Sequence, residues 1–235
     1  ENAAHLDDDY ESSLIATLTP ELAKIEVEGE YASVSSGKIF PYFDRKTQVK
    51  DIPLQPYQQL LVSFDFNHSP MTCFVGQDTG QGINGVTEFY LMDSNTFQCA
   101  EAVCSWISKY HNLSKDVFVF GDASGNQKTA NSNTTNWQIV FKAFRKYHIK
   151  ATSCVPKANP SVIDSCNSVN NLLSKGLLNL DKKCKETIRD LEFLTWEEGK
   201  SPPKIDKSNI KRSHLVDCVR YMVHSTYPIS RPMRT

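Results

Sequence analysis

Three carboxylates and one imidazole stand at positions from which this chain can bring them together. Asp65 closes the apolar run Leu60-Leu61-Val62-Ser63-Phe64-Asp65, and Asp122 follows a second run, Val117-Phe118-Val119-Phe120-Gly121. His214 and Asp217 lie three residues apart on a predicted C-terminal helix, with Tyr221 four residues further on the same face. An acid at the end of a buried strand is costly unless it is paired or bound to a cation. Carboxylate oxygens suit hard divalent cations. Two such cations roughly 3.5–4 Å apart, bridged by carboxylates, activate a water and stabilise the leaving 3′ oxygen in phosphodiester hydrolysis. In that chemistry Asp65 bridges both ions, while Asp122 and Asp217 each complete one side. His214 orients a water or ligand, or contacts the scissile phosphate. Each residue also has a plainer role when taken alone. Asp65 caps the turn before Pro70, Asp217 is a first-turn acid complementing the helix dipole, and His214 is an ordinary surface or core histidine. Only their conjunction points to chemistry.

The elements that must position these groups are legible in the hydrophobic pattern. Residues 60–66 suit a strand buried on both faces. Pro70 and Gly80 bracket a second strand at 71–77, and 86–92 is a third, which makes a three-stranded antiparallel meander. A helix follows at about 96–110, with Phe97, Ala100, Val103, Cys104 and Ile107 on one face. The run 117–120 is a short strand expected to pair with the first. Residues 122–134 form a polar loop. A helix at 135–147, with Trp137, Val140, Phe141, Phe144 and Tyr147 as its stripe, leads to a strand at 149–154. Helices near 160–175 and 182–196, a Pro-rich linker at 201–204 and a last helix at 213–226, with Ser213 as its N-cap, complete the chain. Three antiparallel strands followed by alternating helix and strand are the order of an RNase H-like α/β domain, a mixed central sheet flanked by helices. Residues 1–50 read as an arm, with a helix start at Thr19-Pro20-Glu21 and breaks at Gly29 and Gly37. The core is expected to begin near Pro56, within a domain spanning 51–235.

Bulk properties narrow the class. The chain has 235 residues, 40% of them hydrophobic, which suits one substantial domain plus an arm. No apolar run approaches the roughly 20 residues of a membrane span, so no membrane partner is expected. The seven cysteines are scattered without Cys-x-x-Cys spacing, which favours buried reduced thiols over a zinc site. Charge is unevenly distributed. Residues 1–30 hold nine acids against Lys24, whereas residues 199–235 hold eight bases against Asp206 and Asp217. Such asymmetry points the C-terminal face toward phosphates. Lys128, Lys157, Lys204, Lys207, Lys211, Arg212 and Arg220 are the candidate DNA contacts, and a salt bridge to a neighbouring acid is the competing role for Arg220. The segment Gly121-Asp122-Ala123-Ser124-Gly125-Asn126-Gln127-Lys128-Thr129 echoes a phosphate-binding loop, but Asn126 and Gln127 stand where such a loop needs Gly before Lys.

Taken together, Phe64-Asp65-Phe66, Gly121-Asp122-Ala123-Ser124-Gly125 and Ser213-His214-Leu215-Val216-Asp217-Cys218-Val219-Arg220-Tyr221 resemble the C-terminal nuclease domain of tailed-phage terminase large subunits. Asn159-Pro160-Ser161-Val162, with Asn167, Asn170 and Asn171, and the arm from Gly29 to Asp44 extend the resemblance over nearly the whole chain. It implies an RNase H-like (retroviral-integrase-like) fold and a Mg²⁺- or Mn²⁺-dependent endonuclease that cuts concatemeric viral double-stranded DNA during genome packaging, in the cytoplasm of the infected host cell. It places the family's metal-binding acids on Asp65, Asp122 and Asp217. Many members carry Arg after the acid of the Asn-Pro-Ser helix, where this chain has Ser165 after Asp164. The family pairs this domain with a packaging ATPase and works with the capsid portal and the small terminase subunit. No Walker motif occurs here, and the chain opens on Glu1. A nuclease portion without its motor is therefore expected, with residues 1–50 as the end of the linker. Related folds carry a fourth acid on the helix after the meander, for which Glu101 is the candidate and a solvent-facing helical acid the alternative. A junction resolvase or transposase-like nuclease of the same fold, and a non-catalytic docking module for the portal, are the competing functions.

Overall fold

The computed structural model describes residues 37–110, 116–128, 133–209 and 212–229. The predicted helix start at Thr19, the break at Gly29, most of the acidic arm, and Lys211, Arg231 and Arg234 lie outside the described residues.

A seven-stranded mixed sheet forms the centre: β1 (Val49–Lys50), β2 (Leu60–Asp65), β3 (Met71–Asp78), β4 (Ile83–Leu91), β5 (Asp116–Gly121), β6 (Lys150–Ser153) and β7 (Leu178–Asp181). The spatial order is β1-β7-β4-β3-β2-β5-β6. β2, β3 and β4 are the antiparallel meander and β5 pairs with β2, as the sequence pattern implied; that pairing is parallel. Every residue of β2 is buried, because the strand has partners on both edges and helices on both faces. Its alternating side chains divide between two cores. Leu60, Val62 and Phe64 join one cluster and Leu61 the other.

On the first face lie α2 (Thr96–Ser108) and α3 (Asn136–Lys146). Both begin with reciprocal capping boxes, Asn95 with Gln98 and Thr135 with Gln138, which satisfy the orphan amides of the first turn. The seam of α2 differs from expectation. Cys99 is buried and Phe97 is about half exposed, under the Lys146 ammonium. In α3, Trp137, Val140, Ala143 and Phe144 are buried. The opposite face carries α4 (Val162–Ser174), α5 (Lys185–Phe193) and α6 (His214–Thr226), around a core that includes Phe74, Leu172, Leu178, Leu180, Leu215 and Met222.

Two features escaped the sequence reading. The helix expected at 182–196 is present as α5, but the sequence reading missed the strand just before it: β7 inserts between β1 and β4 with parallel pairing on both sides. The core also begins well before Pro56. Ile39 and Phe40 are buried, and Asn170 Nδ2 donates to Ile39 O at 2.8 Å. The short α1 (Arg45–Gln48) follows, and its buried Gln48 donates from Nε2 to Leu173 O at 2.7 Å. The seven cysteines are free thiols, and all but Cys154 are buried. Among the described residues no helix is long and apolar enough to cross a membrane.

Candidate metal centre

The C-terminal ends of β2 and β5 lie side by side, the position at which open α/β sheets place ligands. Gly121 makes that approach possible. At φ +143° its added Cβ would lie 2.1 Å from Phe64 O, so no other residue fits between the strands. Asp122 N donates to the same oxygen at 3.2 Å. Gly125 serves a different contact, because a Cβ there would meet the Phe66 ring at 2.3 Å. The glycines of this segment thus serve close packing under Phe66 and Trp137, not an anion nest.

Helix α6 crosses this edge and delivers His214 and Asp217 to Asp65. One ligand atom from each of these three residues lies within 4.8 Å of the others. Asp65 is 5% exposed and Asp217 4%. His214 Nδ1 is 3.0 Å from Asp65 Oδ2, and Asn67 Nδ2 donates to the same oxygen at 2.6 Å while lying 2.9 Å from Nδ1. With a proton on Nδ1 the imidazole donates to Asp65; in the other tautomer Nδ1 accepts from Asn67. Burial pushes the Asp65 carboxyl above its usual range. His214 opposes that rise, and the charges of Asp217 and Asp122 add to it. A carboxylate so placed is one that a cation would relieve.

Asp217 is braced from behind. Arg220 Nε donates to Asp217 Oδ1 at 2.7 Å, and its Nη1 donates to Ser165 Oγ at 2.9 Å. Arg220 is itself buried, with its guanidinium 4.6 Å from the Tyr221 ring centroid. It therefore holds an acid of the cluster, the competing role weighed for it above. Ser165 Oγ accepts from the guanidinium of Arg220, so this serine is part of the brace. The other Asp217 oxygen, Oδ2, is 3.7 Å from Lys207 Nζ.

Asp122 stands beside this trio rather than inside it. Its Oδ1 accepts from Ser124 N at 2.8 Å and Asn159 Nδ2 at 2.7 Å, and its Oδ2 accepts from Ser124 Oγ. Asn159 Oδ1 also accepts from Ala123 N at 2.8 Å. Partial burial works against the Asp122 charge, yet these donors outweigh it and hold the carboxyl below its usual range.

The start of α6 is built on strain. Ser213 takes a left-handed conformation, φ +76°, and its side chain makes no cap hydrogen bond, contrary to expectation. Its backbone amide instead donates to Asp190 Oδ2 at 3.1 Å. Asp190 is 3% exposed, and burial pushes its carboxyl up to about 7 against the pull of the Ser213 amide and Arg212. Glu88 on β4 similarly receives the amides of Glu186 and Thr187 at the start of α5. A relay of acids therefore orients first α5 and then α6.

Of the proposed DNA contacts, Lys128, Lys157, Lys204 and Lys207 are exposed, and Arg212 is half-buried with its guanidinium 5.7 Å from the Phe193 ring centroid. Lys204 and Lys207 line a cleft of about 600 Å³ together with Glu197, Ser208, Asp217 and Arg220. Glu101 is not with the acids. It accepts from Lys146 Nζ at 2.8 Å and Tyr147 Oη at 3.1 Å, which ties α2 to α3. Asn67, Asn159, Ser165 and Asp190 were not identified as site residues from sequence. Asn159 and Ser165 drew notice only through the resemblance, without a role, and Asn67 and Asp190 carried no signal.

No family model matches the sequence, and no curated protein matches it. Solved structures do. The chain is similar to the large terminase of a thermophilic bacteriophage, at 20% identity and a TM-score of 0.67 over 94% of this chain and 53% of that one. It is similar to the P22 large terminase nuclease domain, at 17% identity and a TM-score of 0.59 over 86% of this chain and 100% of that one. The large terminase nuclease of thermophilic phage G20c, crystallised with bound magnesium, matches at 9% identity and a TM-score of 0.52 over 79% of this chain and 96% of that one. The chain spans about half the length of the first of these proteins. These likenesses establish the fold: a mixed sheet of the RNase H-like kind found in terminase nuclease domains.

Proposed function

We propose that this chain is a divalent-metal-dependent endonuclease of the terminase kind, cutting double-stranded viral DNA during packaging. The observation that carries the reading is the convergence of Asp65, His214 and Asp217 at the end of the most buried strand, with Asp122 just beyond the end of the adjacent one. The donors are carboxylate oxygens with one imidazole, and no thiol is among them, which fits Mg²⁺ or Mn²⁺. Two buried carboxylates with a third nearby carry more negative charge than Arg220 offsets, so the site also fits a cation electrostatically. Asp65 and Asp217 would hold one ion, and Asp65 with Asp122 a second. When bound, such ions supply an activated water and charge stabilisation at the leaving oxygen.

The protein's own groups have separate tasks. Arg220 and Ser165 fix the rotamer of Asp217. Ser124 and Asn159 fix that of Asp122 and keep it ionised. His214, tied to Asp65, is placed to orient a water or to take a proton at Nδ1. Exposed lysines flanking the cleft would bind the DNA backbone, so affinity should be weakly dependent on sequence and steeply dependent on salt. The similarity to a large terminase about twice the length of this chain supports a packaging ATPase domain as a partner in the same polypeptide; action in the infected cell's cytoplasm, with the capsid portal and small terminase subunit as further partners, is part of the same proposal.

The test is conversion of supercoiled plasmid to nicked and linear forms with Mn²⁺ or Mg²⁺, compared with Asp65→Ala and Asp217→Ala. Cutting lost in both variants supports the reading, and cutting retained in both removes it. Preference for four-way junctions over linear duplex would instead favour a resolvase.

A further inference from the structure

We propose that Lys207 is the resident counter-cation of the metal centre, neutralising Asp217 until a divalent cation takes that oxygen and then passing to a DNA phosphate. The inference rests on the metal-centre reading above and adds a coupling between its two ligands, cation and DNA.

The two bases on Asp217 differ in how they are held. Arg220 is buried and is fixed by Asp217, Ser165 and the Tyr221 ring. It cannot leave without opening the core. Lys207 has a side chain 60% exposed, and its Nζ lies 3.7 Å from Asp217 Oδ2, a charge contact longer than a hydrogen bond. It can move. Its backbone, in contrast, is anchored. Asp206 N donates to Thr195 O at 2.9 Å, Glu197 N donates to Lys204 O at 2.8 Å, and Ile205 is buried in the core. Ser208 N donates to Asp206 Oδ1 at 2.8 Å, closing a turn around Lys207 itself. A flexible ammonium on a fixed base therefore overhangs the cleft that it shares with Asp217, Arg220 and Lys204.

Physical chemistry supplies the direction of the coupling. Without a divalent ion, Asp217 and Asp122 each repel Asp65, and the Lys207 ammonium beside Asp217 offsets part of that negative charge. A divalent cation at Asp217 Oδ2 would face the ammonium at close range, and the two like charges repel. Lys207 therefore weakens cation binding while DNA is absent. A backbone phosphate in the cleft gives the displaced ammonium a new partner, so cation and DNA strengthen each other's binding by the same factor.

The test is Mn²⁺ titration calorimetry on the protein without DNA. Lys207→Gln should bind Mn²⁺ about five-fold more tightly, the upper end for an ion pair with one exposed partner, and Lys207→Arg should match wild type. With Ca²⁺ present to prevent cutting, Lys207→Gln should lower the salt slope of duplex DNA binding by about one; without Ca²⁺ the slope should be unchanged. Unaltered Mn²⁺ affinity in Lys207→Gln, or an equal loss of slope with and without Ca²⁺, overturns the proposal while leaving the metal centre intact. Wild-type protein that binds no Mn²⁺, or binding that survives Asp65→Asn, overturns the metal-centre reading and this inference with it. Thermal melts confirm that the variants remain folded.

Discussion

The two sides of the acid cluster solve opposite problems. Asp65 and Asp217 are buried, bound to cationic or imidazole partners, and Asp65 has a raised carboxyl pKa. Asp122 is more open, surrounded by neutral donors, and has a lowered one. The first side is strongly polarised and depends on added positive charge; the second is already satisfied and offers an ionised oxygen at any ordinary pH. An RNase H-like edge can therefore prepare its carboxylates by two routes, one electrostatic and one through hydrogen bonds. The contrast also divides labour between the two ends of the chain. Ser124 and Asn159 prepare Asp122, whereas helix α6, held at its start by the buried Asp190 of α5, prepares the Asp65 side.

The polarised side fails most severely if Asp65 is neutralised. Asp65→Asn should reduce plasmid cutting by at least about 10³-fold, roughly 4 kcal/mol of barrier, with the fold unchanged in thermal melts. A loss below ten-fold would mean that this side is not the centre of the chemistry.

The next effect concerns the support of α6. Asp190 has its folded carboxyl pushed up to about 7, whereas an unfolded chain releases that proton near 4. Between those values the folded state binds more protons, so stability falls as pH rises from about 4 to about 7 and then levels. Asp190→Asn keeps an acceptor for the Ser213 amide and removes the charge. It should flatten this slope and raise the melting temperature at pH 7.5 relative to wild type. An unchanged pH profile would show that Asp190 is not destabilised by burial.

Much of this was legible because it is written in local pattern. The alternation and length of β2 through β5, the capping residues Asn95 and Thr135, and the strand-terminal acids are each encoded within a few residues. What was not legible depends on contacts across the fold. Leu178–Asp181 is too short and too mixed to announce a strand, and it becomes one only because β1 and β4 leave a slot between them. Ile39 and Phe40 looked like part of an arm because what buries them lies far along the chain, Leu194 O accepting the Ile39 amide and Asn170 bonding its carbonyl. Phe97 fitted the helical period of α2, yet Cys99 took the buried position. Arg220 read as a phosphate contact or a salt bridge, and its burial and its bond to Asp217, one turn earlier on the same helix, resolved the two. The grouping of Asp65, His214 and Asp217 was foreseen; the separate footing of Asp122 was not, since it rests on Asn159, 37 residues later.

Two smaller perturbations bear on the same contrast. Asn159→Ala removes a donor from Asp122 without touching Asp65, and should slow cutting by up to about a hundred-fold, as loss of a ligand-orienting partner commonly does. Raising Mn²⁺ should recover part of that loss, a rescue not expected for Asp65→Asn. His214→Ala should cost about ten-fold, because Asn67 still donates to Asp65 in its absence. If His214→Ala proved as damaging as Asp65→Asn, the imidazole would be transferring a proton and not orienting a water.

The most direct measurement is anomalous scattering from crystals soaked in Mn²⁺. A peak is expected between the Asp65 and Asp217 carboxylates, with a second toward Asp122 at higher Mn²⁺. Fully soaked crystals with no peak at Asp65, or with manganese bound only elsewhere, would contradict a metal centre at this edge of the sheet.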